Sequence, residues 1–160
     1  MITVREPYFI DILSLLAVLP ADEVEQYEAF TGVEFEHQDA AARAWLSTEL
    51  RWAAADEKGP LVVGGYVRMR PGVFQSWYIP HPRVWEDKDI GRPITRATRK
   101  VISGMLTSGT AHRLETVVLS SRTKAQTWYP MIGLKYESTL PRYGAHGEDA
   151  AMYVALRENT

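Results

Sequence analysis

The chain has 160 residues, 46% of them apolar, which is the length of one domain able to bury a sizeable core. It contains no cysteine, and this excludes a disulfide scaffold, a thiolate metal site and a cysteine nucleophile. Its 18 basic and 20 acidic residues argue against binding nucleic acid or an anionic membrane over the whole surface. The longest apolar run, 12–19, is too short to span a bilayer, and no basic segment precedes it as in a signal peptide. We therefore expect a soluble protein that is not secreted.

The N-terminal third is predicted to be one short strand followed by helices. Residues 2–5 alternate in polarity, and apolar positions at helical spacing follow until Pro20. Asp22 is predicted to cap a second helix that ends at Gly32, and Asp39 to cap a third.

The middle of the chain is predicted to form an antiparallel meander. Three β-rich runs, 52–54, 61–66 and 73–79, are separated by turn sequences that contain Gly and Pro. The pair Gly64 and Gly65 inside the second run indicates a bulge or a splay where a backbone or a ligand comes close.

The last half is predicted to alternate helices and strands. Pro93 stands where a first helical residue is favoured, and the helix should run to about Leu106, with Gly109 ending it. The remaining elements are a central strand buried on both faces over 114–119, a helical stripe over 123–132, and two strands over 134–138 and 151–156.

This order of elements resembles the acyl-CoA N-acyltransferase (GNAT) superfamily. Ala125, Tyr129 and Gly133 recur at the spacing of that superfamily's acceptor-side motif. The resemblance implies a single α/β (α+β) domain over 1–160, with a mixed, mostly antiparallel central sheet of about seven strands flanked by helices. It also implies acetyl-CoA as the one cofactor, and Tyr129 as the general acid toward the departing thiolate. A tyrosine on such a helical stripe is more often a core residue than a catalyst.

The phosphate-binding motif of the superfamily is altered here. Its usual form is Arg or Gln, two residues, Gly, one residue, then Gly or Ala, at a helix N-terminus whose free N–H groups hold the pyrophosphate. In this chain Lys88 stands in place of Arg or Gln, Gly91 is kept, and Pro93 lacks an N–H donor. The resemblance implies Lys88, Gly91, Arg92 and Arg96 as the residues nearest the cofactor, although the altered motif argues against its binding.

A basic stripe runs along the same predicted helix. Arg92, Arg96 and Arg99 are spaced four and three residues apart, so they lie on one face and repel one another. An anion would neutralise them, and the candidates are the CoA phosphates, a nucleic-acid backbone or an acidic patch on a partner protein. The alternative is a solvated face whose charges pair with nearby carboxylates: Glu86, Asp87 and Asp89.

A transferase of this class also needs a base, and the central run 73–79 contains no carboxylate. His81, just after that run, and Glu115, on the next strand, are the substitutes. His81 lies between Pro80 and Pro82, so a rigid loop residue is the alternative. The four histidines are not spaced as metal ligands, and no metal site is expected.

A finer resemblance covers most of the chain after the second strand. The segments 60–65, 77–79 with Val84 and Trp85, 96–100 and 132–134 are similar to the small GNAT-like internal virion proteins of short-tailed bacteriophages. That family implies a structural or assembly protein that binds other virion proteins, in the particle or in the bacterial host cytoplasm. The alternative is an acetyl-CoA-dependent N-acetyltransferase that modifies an amine on a host protein or a small molecule.

Overall fold

A computed structural model of the protein describes residues 1–158 and contains seven strands and six α-helices in that range. The strands are β1 (Thr3–Arg5), β2 (Leu50–Asp56), β3 (Gly59–Arg70), β4 (Val73–Pro80), β5 (Arg113–Leu119), β6 (Lys135–Leu140) and β7 (Ala150–Leu156). The helices are α1 (Phe9–Ala17), α2 (Ala21–Thr31), α3 (His37–Ser47), α4 (Arg83–Glu86), α5 (Lys88–Thr107) and α6 (Thr123–Trp128), followed by a 3₁₀ turn over Tyr129–Ile132.

The strands form one mixed sheet in the order β1-β2-β3-β4-β5-β7-β6. Every neighbouring pair is antiparallel except β4 and β5, which are parallel. That parallel pair is short, because only residues 73–75 of β4 pair with residues 113–115 of β5. The predicted fold class, a mostly antiparallel sheet flanked by helices, is confirmed.

Helices cover both faces of the sheet. Successive side chains of a strand point to opposite faces, so Ala54 of β2 packs in the core that contains Ile94 and Ile102 of α5. The adjacent Ala53 packs in the second core, where Ile12 and Ala41 represent α1 and α3. Both cores are closed to solvent at these positions.

The helix ends differ in part from the sequence prediction. Gly32 ends α2 in the left-handed conformation, with φ 69°, as predicted. The prediction that Asp22 caps α2 is wrong, because Pro20 is the N-cap and the Asp22 carboxylate instead accepts a hydrogen bond from Arg122. The prediction for Asp39 is also wrong, since the longer side chain of Glu36 reaches the N–H groups of residues 38 and 39 at 2.9 and 2.7 Å.

The sequence prediction starts α5 five residues too late. The helix begins at Lys88, because the Asp87 carboxylate accepts the Asp89 N–H at 2.9 Å and caps it there. Pro93 therefore lies inside the helix rather than at its first position. The short helix α4, immediately before this cap, has no counterpart in the sequence prediction.

The two adjacent glycines of β3 do not form the predicted bulge. Gly64 and Gly65 pair in regular register with both neighbouring strands. A Cβ on Gly64 would collide with the indole of Trp52, and one on Gly65 with the indole of Trp77. The glycines therefore make room for two large rings, and the register shifts lie elsewhere, at 54–55 and 68–70. Within residues 1–158, no helix combines the length and the apolar character that crossing a membrane requires.

Candidate functional site

A cleft opens where β4 and β5 separate. Beyond Gln75 and Glu115 the two strands no longer pair, although the Ser76 hydroxyl still contacts the Thr116 hydroxyl and lies 3.2 Å from the Glu115 carbonyl oxygen. Side chains from α2, from β4 with α4, from β5, and from α6 with the 3₁₀ turn line the space beyond this contact. The cleft is therefore built from four separate parts of the sequence.

Aromatic side chains fill most of this cleft. The ring of Trp128 meets Trp85 edge-on at a centroid distance of 5.3 Å and Tyr78 at 6.1 Å. The Trp128 indole also donates a hydrogen bond to Thr95 of α5 at 3.0 Å, which fixes its position. The cavity that remains, which we call the inner cavity, has a volume of about 60 Å³. This is far below the roughly 300–1,000 Å³ of pockets that hold small organic ligands.

The segment 81–91 occupies the position of the predicted phosphate-binding motif. The N–H groups of residues 83–87 and 89–91 all donate hydrogen bonds within this segment, at 2.8 to 3.3 Å. Arg83 also forms an ion pair with Asp56 of β2, with atoms as close as 2.6 Å, which anchors α4 to the β2–β3 turn. The Asp87 cap places a negative charge at the N-terminus of α5, where an anion would otherwise be attracted.

The four residues predicted to lie nearest the cofactor are all on the first turns of α5. Gly91 lies against α4, and a Cβ there would collide with the Val84 carbonyl oxygen, so the glycine permits the close contact of the two helices. Lys88, Arg92 and Arg96 are exposed. Their predicted role in binding a cofactor stays a prediction.

The basic stripe is solvent-exposed and lacks the carboxylate partners considered for it. None of the ion pairs formed within residues 1–158 involves Arg92, Arg96 or Arg99. Arg99 donates only a long hydrogen bond, 3.4 Å, to the Met131 carbonyl oxygen. The three guanidinium groups therefore form an accessible cationic face on α5.

Tyr129 lines the inner cavity at the junction of α6 and the 3₁₀ turn. It is 6% exposed, and its ring packs against Tyr153 at a centroid distance of 5.2 Å. Burial, opposed by Arg122 and reinforced by Glu23, raises the pKa of Tyr129 to about 12. The phenol is therefore neutral at pH 7 and can donate a proton, while its packing is that of a core residue.

Glu23 of α2 is a candidate base that the sequence interpretation missed. Its side chain is 10% exposed and lines the inner cavity. Burial raises the pKa of Glu23 to about 7, although Arg122 lowers it, with Nη2 lying 3.2 Å from Oε1. The sequence signal that would have found it is the stripe Glu23, Tyr27 and Phe30, which places a carboxylate among aromatic residues on one helix face.

The two bases suggested by sequence lie outside this cleft. Glu115 accepts a hydrogen bond from Arg113 at 2.7 Å, and the same guanidinium binds Glu137. His81 Nδ1 accepts the Arg83 N–H at 3.1 Å, and burial together with the Arg83 charge lowers the pKa of His81. A catalytic role for either residue stays a prediction that this geometry does not favour.

A second, larger cavity lies on the other side of β4, between the sheet and the helices α1, α2 and α3. We call it the outer cavity, and its volume is about 1020 Å³. Its wall is mostly apolar, with Leu16, Phe30 and Trp77 among the lining residues. Glu23 and Tyr78 line both cavities, so the two spaces meet at this point.

No protein-family model and no curated protein matches the chain, but solved structures match its fold. A GNAT-family acetyltransferase from Bacillus anthracis matches with a TM-score of 0.71 at 12% identity, covering 99% of this chain and 96% of the other. A mutant form of the spermidine N-acetyltransferase SpeG from Vibrio cholerae gives 0.71 at 13% identity, covering 97% and 95%. The microcin C7 self-immunity acetyltransferase MccE, in complex with acetyl-CoA and AMP, gives 0.72 at 15%, covering 97% and 92%. At these identities the comparison shows the fold alone, and that fold is GNAT.

The MccE complex shows that this fold is compatible with acetyl-CoA. In this chain, most backbone donors of residues 81–91 are already bonded and a carboxylate caps the helix, which opposes the binding of the cofactor's phosphates at this segment. The inner cavity is also too small for a pantetheine arm.

Proposed function

We propose that this protein is a binding and assembly component on a GNAT scaffold that does not use acyl-CoA. The observation that carries the proposal is the internal hydrogen bonding of residues 83–87 and 89–91, which occupies most of the backbone donors that an anion would need in the phosphate-binding segment. Releasing those donors would break the Asp87 cap, at a cost of about 1 kcal/mol.

Thermal unfolding with millimolar acetyl-CoA tests this part of the proposal. A ligand present at about a hundred times its dissociation constant adds roughly 2.7 kcal/mol to the free energy of unfolding, and the midpoint then rises by several degrees. We expect no rise above that produced by AMP at the same concentration. A rise of several degrees with acetyl-CoA alone would contradict the proposal.

The assembly role is proposed to be that of an internal protein of a bacteriophage particle that contacts other virion proteins. This part rests on the sequence resemblance described above, and the exposed face of Arg92, Arg96 and Arg99 offers a surface for an acidic partner. Mass spectrometry of purified particles should detect the chain. Particles without it, together with a pull-down from infected cells that recovers no virion protein, would exclude this role.

A second candidate, an N-acetyltransferase, is favoured by one specific observation. Glu23 and Tyr129 line the same inner cavity, with pKa values of about 7 and about 12. At neutral pH the first can accept a proton from an amine and the second can supply one. This activity would need the segment 81–91 to open. Turnover of an amine with acetyl-CoA that is abolished in Glu23→Gln, and reduced in Tyr129→Phe, would establish it in place of the first proposal.

A further inference from the structure

The helices on the two faces of the sheet carry opposite charges. Residues 9–47, which contain α1, α2 and α3, include eight acidic residues and one basic residue, Arg43. Residues 92–107 of α5 include four basic residues and no acidic one. Because α1 and α3 pack in one core and α5 in the other, the two charges lie on opposite faces of the sheet. The small net charge of −2 is therefore the sum of an acidic face and a basic face.

The acidic charge is least compensated over residues 25–36, which we call the acidic segment. It contains four glutamates and no basic residue: Glu25, Glu28, Glu34 and Glu36. Among the ion pairs within residues 1–158, none joins these glutamates to a lysine or an arginine. Glu28 and Glu36 accept backbone N–H groups, whereas Glu25 and Glu34 are exposed to solvent. The side chains of Tyr27 and Phe35 anchor the segment to the core of α1 and α3.

The basic charge is concentrated on one surface of α5, which we call the basic face. It consists of four exposed side chains: Arg92, Arg96, Arg99 and Lys100. Arg96 lies four residues from both Arg92 and Lys100, and like charges at this spacing repel each other along a helix. None of the four takes part in an ion pair with residues 1–158. An acidic surface placed against them would relieve this repulsion.

Both charged surfaces also have exposed apolar side chains beside them. Met131 is exposed next to the basic face, and its carbonyl oxygen lies 3.4 Å from the Arg99 guanidinium. Val33 is exposed within the acidic segment, and the exposed ring of Tyr143 packs edge-on against Phe30 of α2 at 5.5 Å. Protein interfaces combine apolar contacts at the centre with charged groups at the rim. Each surface therefore offers both kinds of contact.

We propose that the basic face of one copy of this chain binds the acidic segment of a second copy. The two surfaces lie on opposite faces of the sheet, so one molecule cannot join them within itself. The contact is therefore head to tail, and each pair of copies keeps one free surface of each sign to which further copies can add. This inference rests on the assembly role proposed above, for which it names a second copy of the chain as an acidic partner.

A second copy fits these surfaces better than a nucleic acid does. The four basic residues of the basic face match the four glutamates of the acidic segment in number and are opposite in sign. A nucleic-acid backbone would neutralise the basic face only, and it would be repelled by the acidic residues elsewhere on a protein whose net charge is −2. Binding of a second copy neutralises both surfaces.

Sedimentation velocity of the unaltered protein at low and high salt tests the association. Exposed ion pairs are individually weak, so we expect association at protein concentrations on the order of 0.1 mM. The screening length falls from about 30 Å at 0.01 M salt to about 3 Å at 1 M salt. The mean sedimentation coefficient should therefore rise with protein concentration at the lower salt concentration and stay at the monomer value at the higher one.

Charge reversal on each surface tests which residues meet. The first variant combines Arg92→Glu with Arg96→Glu, and the second combines Glu25→Arg with Glu34→Arg, all at exposed positions. Each variant alone should associate about tenfold more weakly or less, because two surfaces of like charge then face each other. An equimolar mixture of the two variants should associate again, since every acidic surface meets a basic one. A loss caused by misfolding would not be restored by mixing.

The matched control combines Arg68→Glu with Arg70→Glu. Both residues are exposed at the end of β3, away from the two surfaces, and the control changes the net charge as much as the first variant does. It should associate like the unaltered protein, and an equal loss in the control would show that net charge alone governs association.

Four other results would overturn the proposal as well. They are a monomer at every concentration up to about 1 mM at low salt, association that persists at about 1 M salt, undiminished association of either charge-reversed variant, and a mixture of the two variants that stays monomeric. If the protein stays monomeric while its basic face binds a short DNA duplex, the occupant is nucleic acid. The samples contain no acetyl-CoA and no virion protein, so these results are separate from the tests of the proposed function.

Discussion

The two regions on either side of the β4–β5 cleft differ in how far their polar groups are hydrogen-bonded within the protein. In the segment 81–91, the backbone donors of residues 83–87 and 89–91 are bonded within the segment, and Asp87 caps the helix that follows. On the α2 side, Glu23 and Tyr27 keep buried polar atoms without partners. The region with unsatisfied groups is the one that a ligand would stabilise.

The largest effect should come from the buried carboxylate of α2. The pKa of Glu23 is about 7 in the folded protein, against about 4.5 when it is unfolded. Because the folded pKa is the higher one, the stability it contributes is full below about pH 4.5 and is lost as the pH rises through about 7. The loss is on the order of 3 kcal/mol. The Glu23→Gln variant should lack this pH-dependent loss of stability.

Urea unfolding at pH 5 and pH 8 measures this difference. We expect Glu23→Gln to be more stable relative to the unaltered protein at pH 8 than at pH 5, and Glu25→Gln to show no such change. The same pH dependence in the Glu23→Gln variant and in the unaltered protein would show that folding does not raise the pKa of Glu23.

A smaller effect should follow from disturbing the other region. A Cβ at Gly91 would collide with the Val84 carbonyl oxygen, so Gly91→Ala should separate α4 from α5 and lower the free energy of unfolding by about 1–3 kcal/mol. Gly104→Ala is the matched control, because the same helix offers open space there, and alanine should stabilise it by about 0.5–1 kcal/mol. A gain of stability in both variants would contradict the close contact between α4 and α5 at Gly91.

The smallest effect on stability should come from the basic face of α5. Arg96 is exposed and forms none of the ion pairs found in residues 1–158, so Arg96→Glu should change the free energy of unfolding by less than about 0.5 kcal/mol. It should nevertheless weaken binding to an acidic partner, and retention on heparin at low salt measures that change. Equal retention of the Arg96→Glu variant and the unaltered protein would show that this face binds no anion. If duplex DNA binds instead of an acidic protein, the partner is nucleic acid.

Local patterns predicted most of the fold and little of the site. Strand alternation, turn residues and the C-cap glycine Gly32 depend only on residues close in sequence. The order of helices and strands could therefore be predicted from the sequence. The helix α4 could not, because a four-residue turn depends on the distant ion pair between Arg83 and Asp56. Glu23 was missed for the same reason. Its burial and its pairing with Arg122 connect residues 99 positions apart along the chain.

The contrast between the two regions is tested most directly by amide chemical shifts of the ¹⁵N-labelled protein. With acetyl-CoA we predict no change in the segment 81–91, because most of its N–H groups already have acceptors. Saturable changes at residues 83–91 on addition of acetyl-CoA would contradict the account and would make the acetyltransferase the better description of this protein.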